Sequence, residues 1–151
     1  MKIAVFPGSF DPITKGHESI VNRACELFDK IYVAIGINAN KKYLFDQEER
    51  IKFIKQTFAA NKKVEVLAYS SLTVKLCEDL GARFILRGLR NSADFNYEYP
   101  IAEANTHMNR SIETVFLATE AKFLAINSSI VRDIYRHGGD IKAFIPDAVT
   151  L

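Results

Sequence analysis

Three short polar clusters carry side chains suited to holding phosphate, and each lies where an apolar run gives way to a turn. The first is Gly8-Ser9-Phe10-Asp11-Pro12-Ile13-Thr14-Lys15-Gly16-His17. Its spacing fits neither the dinucleotide fingerprint G-x-G-x-x-G nor the P-loop G-x-x-x-x-G-K-[ST]. Gly8 lets the backbone turn closely under a ligand, Ser9 adds a hydroxyl donor, and Thr14 is a natural helix N-cap. Gly16 and His17 then fall in the first helical turn, where free N–H groups and the positive dipole end favour an anion. A capping box would place Glu or Gln three residues after Thr14. This chain has His17 there, a residue better suited to donating to phosphate than to capping. The competing reading is a surface histidine at a helix start.

The second cluster, Arg87-Gly88-Leu89-Arg90, follows an apolar run and pairs two guanidinium groups around a glycine, a pattern suited to bidentate recognition of phosphate oxygens. Tyr97 and Glu98 follow on the next predicted helix, where the carboxylate could accept from a ribose hydroxyl or an adenine amine. A solvated helix face is the alternative for both. In the third cluster, Ile126-Asn127-Ser128-Ser129-Ile130-Val131-Arg132, Ser128 reads as an N-cap. Arg132 then sits near the first turn and opposes the helix dipole unless an anion occupies that end. Lys41-Lys42 adds an ammonium pair after another strand, either solvated or contacting phosphate. No Cys/His spacing suits a metal, and His107 and His137 read as helix-surface residues.

These clusters need elements to position them. Ile3 to Phe6 reads as a strand stopped by Pro7-Gly8, and helical apolar spacing follows from Gly16. Ile31 to Ile37 is a second strand, and residues 46–59 form a helix with an acidic capping box at Asp46 and Glu49. Val64 to Leu67 is a third strand, Leu72 to Leu80 a helix ended by Gly81, and Phe84 to Leu86 a fourth strand. Residues 93–108 read as helix, Thr114 to Leu117 as strand and Ser128 to His137 as helix. This alternation predicts one doubly wound α/β domain over residues 1–151, a five-stranded, mostly parallel sheet with helices on both faces. Ligands of such sheets sit beyond the carboxyl ends of the strands, which singles out segments 7–17, 38–42, 68–73, 87–91 and 118–129.

The composition sets the outer bounds. With 151 residues, 48% hydrophobic and 25% charged, the chain is ordinary for one globular domain. A net charge of +2 gives no reason to expect nucleic acid as partner, and apolar runs of a few residues are too short for a membrane span. Two cysteines, Cys25 and Cys77, make no disulfide framework, and the N-terminus does not read as a signal peptide. A single cytoplasmic domain is the resulting expectation, and composition says nothing of its chemistry.

Taken together, Gly8-Ser9-Phe10-Asp11-Pro12 with Thr14-x-Gly16-His17, then Arg87-Gly88-Leu89-Arg90 with Asp94-Phe95-x-Tyr97-Glu98, then Ile126-x-Ser128-Ser129, resembles the phosphopantetheine adenylyltransferase family. The T/H-x-G-H element is shared with the wider nucleotidyltransferase superfamily; the R-G-L-R…D-F-x-Y-E block is more specific. The resemblance spans essentially the whole chain and implies a Rossmann-like fold. It implies transfer of adenylyl from ATP to 4′-phosphopantetheine, giving dephospho-coenzyme A and pyrophosphate in coenzyme A synthesis. Mg²⁺ on the ATP phosphates, a homohexamer and coenzyme A as a candidate feedback ligand come with it.

By position, His17, Lys41 and Arg90 take catalytic roles, with His17 at the α-phosphate. Ser9, Lys41, Thr73 and Arg87 fall at the acceptor site. The ATP site takes Ser9, Phe10, His17, Gly88, Leu89, Arg90, Glu98 and the stretch Phe123, Leu124, Ala125, Ile126, Asn127, Ser128, Ser129. No protein side chain is assigned to the metal. The family usually has serine where this chain has Asn127. The attacking group would be a phosphate monoester, ionised at neutral pH because its second pKa is near 6, so no side-chain base is needed. Position and charge stabilisation remain as the protein's tasks. A sister nucleotidyltransferase with a nicotinamide mononucleotide or cytidylyl acceptor, and an idle nucleotide-binding module, are the competing expectations.

Overall fold

The computed structural model describes all 151 residues. Five parallel strands, β1 (Ile3–Gly8), β2 (Lys30–Gly36), β3 (Val64–Tyr69), β4 (Phe84–Leu89) and β5 (Glu113–Ala118), lie in the order β3-β2-β1-β4-β5. Strand β2 has neighbours on both sides and reads as a near-continuous apolar run, with Ile31, Val33, Ala34 and Ile35 fully buried, as expected when both sheet faces are covered. Helices α1 (Lys15–Ala24) and α2 (Gln47–Thr57) cover one face, packing Ile20, Val21, Phe53 and Ile54 against Ala4, Phe6 and Val33. Helix α3 (Thr73–Leu80) covers the other, with Val74 and Cys77 against Val5, Ala34 and Ile85. Helix α4 (Ser92–Met108) lies against β4 and β5, and α5 (Ser128–Arg136) packs Val131 on Ile141 and Ile145. Both cysteines are free and buried.

Several expected boundaries move, each for a reason in pairing or capping. Strand β1 does not stop at Phe6; its ladder with β2 continues to Gly8 opposite Ile35. Strand β4 does not stop at Leu86 but runs to Leu89 beside Ala118, so Arg87, Gly88 and Leu89 belong to the strand and only Arg90 follows it. The N-cap of α5 is Asn127, whose side chain accepts from Ile130 N at 2.9 Å, and not Ser128.

The crevice comes from one interruption. Strand order reverses at β1, and β1 pairs with β4 only at Ala4–Phe84 and Val5–Ile85. Beyond those pairs the strands part, with Pro7, which has no N–H, on one side and Arg87 on the other.

Candidate active site

The β1–α1 connection is built around Phe10, a non-glycine residue at φ 47° in the left-handed region. A backbone of that kind costs free energy and is commonest where a ligand is gripped. Gly8 is what its ring requires: a Cβ there would lie 3.0 Å from the Phe10 ring. Phe10 in turn stands edge-on to the imidazole of His17, centroids 5.0 Å apart, with Phe6 behind it at 6.2 Å.

His17 does cap the helix, contrary to expectation. Thr14 N donates to His17 Nδ1 at 3.0 Å, while His17 N donates to Thr14 Oγ1 at 3.4 Å. An accepting Nδ1 carries no proton, so the proton is on Nε2, the edge left free for a ligand. Burial first, then the positive charges of Arg87 and Arg90, lower its pKa from 6.5 to about 4. At neutral pH His17 is therefore a neutral Nε2–H donor. Because the native state resists its protonation, this group's contribution to stability is complete above pH 6.5 and is lost as pH falls toward 4. Imidazole nitrogen NMR should show an Nε2–H tautomer titrating near pH 4. A midpoint above 6, or an Nδ1–H tautomer, would overturn this account of the ring.

Arg87 bridges the parted strands. Its Nη1 donates to Pro7 O, while Nε and Nη2 donate to Glu98 Oε2 and Oε1 at 2.9 and 2.5 Å. Glu98 is thus buried in a two-point ion pair and is not on a solvated face. Arg90 is held similarly: Asp94 accepts from its backbone N at 2.8 Å and from Nε at 3.2 Å. Burial would raise the Asp94 pKa, but these bonds and the nearby guanidinium groups outweigh it and hold the carboxyl below its usual range. Gly88 between the arginines faces α1, where a Cβ would meet Ile20 at 3.1 Å.

Two cavities open at this edge. The first, about 340 Å³, is lined by Ser9, Phe10, His17, Gly88, Arg90 and Ser128 among others. The second, about 300 Å³, runs from Thr73 to Tyr97 and Asn105 beneath α4. They share Pro7, Gly8, Ser9, Arg87 and Glu98. Ile126, Asn127, Ser128 and Ser129 line the first cavity, whereas Leu89, Phe123, Leu124 and Ala125 lie outside its lining. Thr73 lies in the second, its hydroxyl 2.8 Å from Tyr69 OH. Lys41 lines neither but donates from Nζ to Ser9 Oγ at 3.1 Å, at the junction. Arg132 has a structural occupation: it donates to Asp11 O at 3.0 Å and Ser129 Oγ at 3.1 Å, tying α5 to the first loop, so no anion is needed to explain it.

The sequence motifs include Asp11 but gave it no role, and Arg50 lies outside them; both are 3% exposed. Arg50 lies three and four residues before Phe53 and Ile54, which puts a guanidinium on the buried face of α2, and that misfit was the available signal. The motifs also gave no role to Asn105, which lines the second cavity.

The five-stranded parallel sheet with a crevice at its switch point is a doubly wound nucleotide-binding architecture, and residues 5–134 match the cytidylyltransferase-like family model, which places the chain among the nucleotidyltransferases. The fold is shared with a solved structure from Vibrio parahaemolyticus, provisionally named a nicotinate-nucleotide adenylyltransferase. That likeness has a TM-score of 0.71 and 22% identity and covers 99% of this chain and 97% of that one. Phosphopantetheine adenylyltransferases of Flavobacterium psychrophilum and Flavobacterium johnsoniae are 54% and 55% identical over 149 residues. Each alignment covers 99% of this chain, and 98% and 97% of the relatives. The chain belongs to the phosphopantetheine adenylyltransferase family.

Proposed function

We propose that this chain transfers the adenylyl group of ATP to 4′-phosphopantetheine, releasing pyrophosphate and forming dephospho-coenzyme A. The observation that carries the reading is the pair of cavities meeting at Ser9 and Arg87, one for each substrate. The nucleotide takes the cavity with His17, Arg90 and the α5 N-terminus; the acceptor takes the one beneath α4. The acceptor's phosphate, already ionised, attacks the α-phosphate directly, forming the new P–O bond as the bond to pyrophosphate breaks.

No side-chain base is required of the protein. Lys41 and Ser9 hold the attacking phosphate, His17 Nε2–H donates to the α-phosphate oxygen, and Arg90 with the α5 N-terminus receives the departing charge. Arg87 has three of its five N–H groups engaged, which leaves two for the acceptor phosphate.

Mg²⁺ belongs to the proposal as an ion carried by the triphosphate, where it neutralises charge on the leaving group. Three carboxylates line the first cavity, and all are committed within the protein: Asp11 to backbone N–H groups, Asp94 to Arg90 and Glu98 to Arg87. Phosphate oxygens and water would therefore hold the ion.

A homohexamer is also proposed, supported by the apolar residues Phe95, Tyr97, Tyr99, Ile101 and Met108 that α4 leaves exposed. Coenzyme A carries both an adenylate and a pantetheine arm and would compete across the two cavities as a feedback ligand. No helix is long and apolar enough to cross a membrane, and the proposed location is the cytoplasm.

The test is pyrophosphate release from ATP and Mg²⁺ with and without 4′-phosphopantetheine. Release that depends on this acceptor, and is not supported by nicotinamide mononucleotide, is the expected result. ATP binding without turnover would replace the proposal with an idle binding module.

A further inference from the structure

Three charged residues of this chain are buried: Asp11, Arg50 and Glu98. Glu98 is accounted for by Arg87, but the mechanism above uses neither Asp11 nor Arg50. A buried charge needs compensation, and where these two find it is informative. Asp11 Oδ2 and Oδ1 accept from the successive backbone N–H groups of Leu44 and Phe45, at 2.8 and 2.9 Å. Arg50 grips the same stretch from the other side: Nε donates to Phe45 O at 3.1 Å, and the guanidinium lies 3.9 Å over the Tyr43 ring. Both grips are anchored in the β1–α1 connection, since Asp11 belongs to it and Arg50 Nη1 donates to Ser9 O at 2.9 Å. Tyr43 comes only two residues after Lys41, whose ammonium meets Ser9 Oγ.

We propose that Asp11 and Arg50 are positioning residues, a clamp that locks the 38–46 segment to the β1–α1 connection so that Lys41 and Ser9 address the acceptor phosphate as one unit. The clamp fixes an otherwise irregular ten-residue connection between β2 and α2 at the point where it passes the site. It does so with charge-assisted bonds to backbone, which are shorter and stronger than neutral ones. The inference rests on the assignment of Lys41 to the acceptor phosphate.

Asp11→Asn keeps the shape but opposes one amide N–H with another, and Arg50→Lys keeps the charge but loses the fork and the stack on Tyr43. In the 151-residue enzyme each should raise KM for 4′-phosphopantetheine about tenfold, because a loosened Lys41 and Ser9 hold the acceptor phosphate less tightly, a loss on the scale of one charge-assisted hydrogen bond. KM for ATP should change less than twofold. Adding either change to Lys41→Ala should cost little more than Lys41→Ala alone. Limited trypsin digestion should also cut faster after Lys41 and Lys42 in both variants.

Equal rises in both KM values, full additivity with Lys41→Ala, or unchanged digestion would overturn the clamp and reduce Asp11 and Arg50 to general stabilisers. Should one variant fail to fold, the other and its digestion rate decide. Unchanged acceptor KM in Lys41→Ala itself would instead sink the assignment of Lys41.

Discussion

His17→Ala should lower kcat by about 10² to 10³, the loss typical of removing one donor aimed at charge that develops in the transition state. KM for ATP should move far less, because in the role proposed for His17 the interaction strengthens as charge grows on the α-phosphate and contributes little to the ground state. The expectation is specific because the ring has one usable orientation. Its Nδ1 is held by Thr14 N, its ring makes T-shaped contacts with Phe6 and Phe10, and its pKa of about 4 keeps it neutral. Loss of the ring also removes half of the α1 capping box, so a urea midpoint should accompany the kinetics to separate fold from chemistry. His17→Gln can offer an N–H from a similar distance and should recover part of the rate. Near-normal turnover in His17→Ala, with both substrates saturating, would remove His17 from the mechanism.

The strand-helix alternation was plain because β-branched runs and amphipathic helices announce their own periods. Central strands such as β2 have almost no polar residue to blur the signal. What periodicity could not convey was where a ladder ends: Pro7-Gly8 and Arg87-Gly88 look like turns, yet neighbouring strands keep them in the sheet. The site motifs were legible as motifs, but their partners were not. Glu98 was read toward a ligand or solvent and is instead bound to Arg87, eleven residues away across a strand–helix connection. Arg132 seemed to ask for an anion, and finds Asp11 O from 121 residues away. Asp11 and Arg50 went unread for the same reason, since compensation of a buried charge by distant backbone leaves no local spacing to detect. His17 was misread as unsuited to capping because capping preferences are compiled for carboxamides and carboxylates, although an imidazole nitrogen accepts as well as an oxygen does.

Arg87→Met should destabilise the fold and weaken acceptor binding together, and the two effects can be pulled apart. The Arg87 and Glu98 side chains are 29% and 11% exposed, so this is neither a surface pair nor a fully enclosed one. Removing one partner leaves Glu98 charged or protonated in a site built for its complement. The expected loss is about 2–3 kcal/mol, short of the 3–5 or so of a completely buried pair. The bond from Nη1 to Pro7 O also goes, and with it the bridge across the parted ends of β1 and β4.

Arg87→Met/Glu98→Leu removes the stranded carboxylate and fills the space with apolar atoms, so most of the stability should return. Acceptor affinity should not return, because the two N–H groups that Arg87 keeps free are still missing. Urea unfolding of the single and double variants, beside KM for 4′-phosphopantetheine, makes the comparison. A single variant within about 0.5 kcal/mol of the parent would mean that the pair holds nothing, since losses of that size are ordinary at unremarkable surface sites. A double variant that regains acceptor binding with stability would mean that Arg87 serves the fold alone.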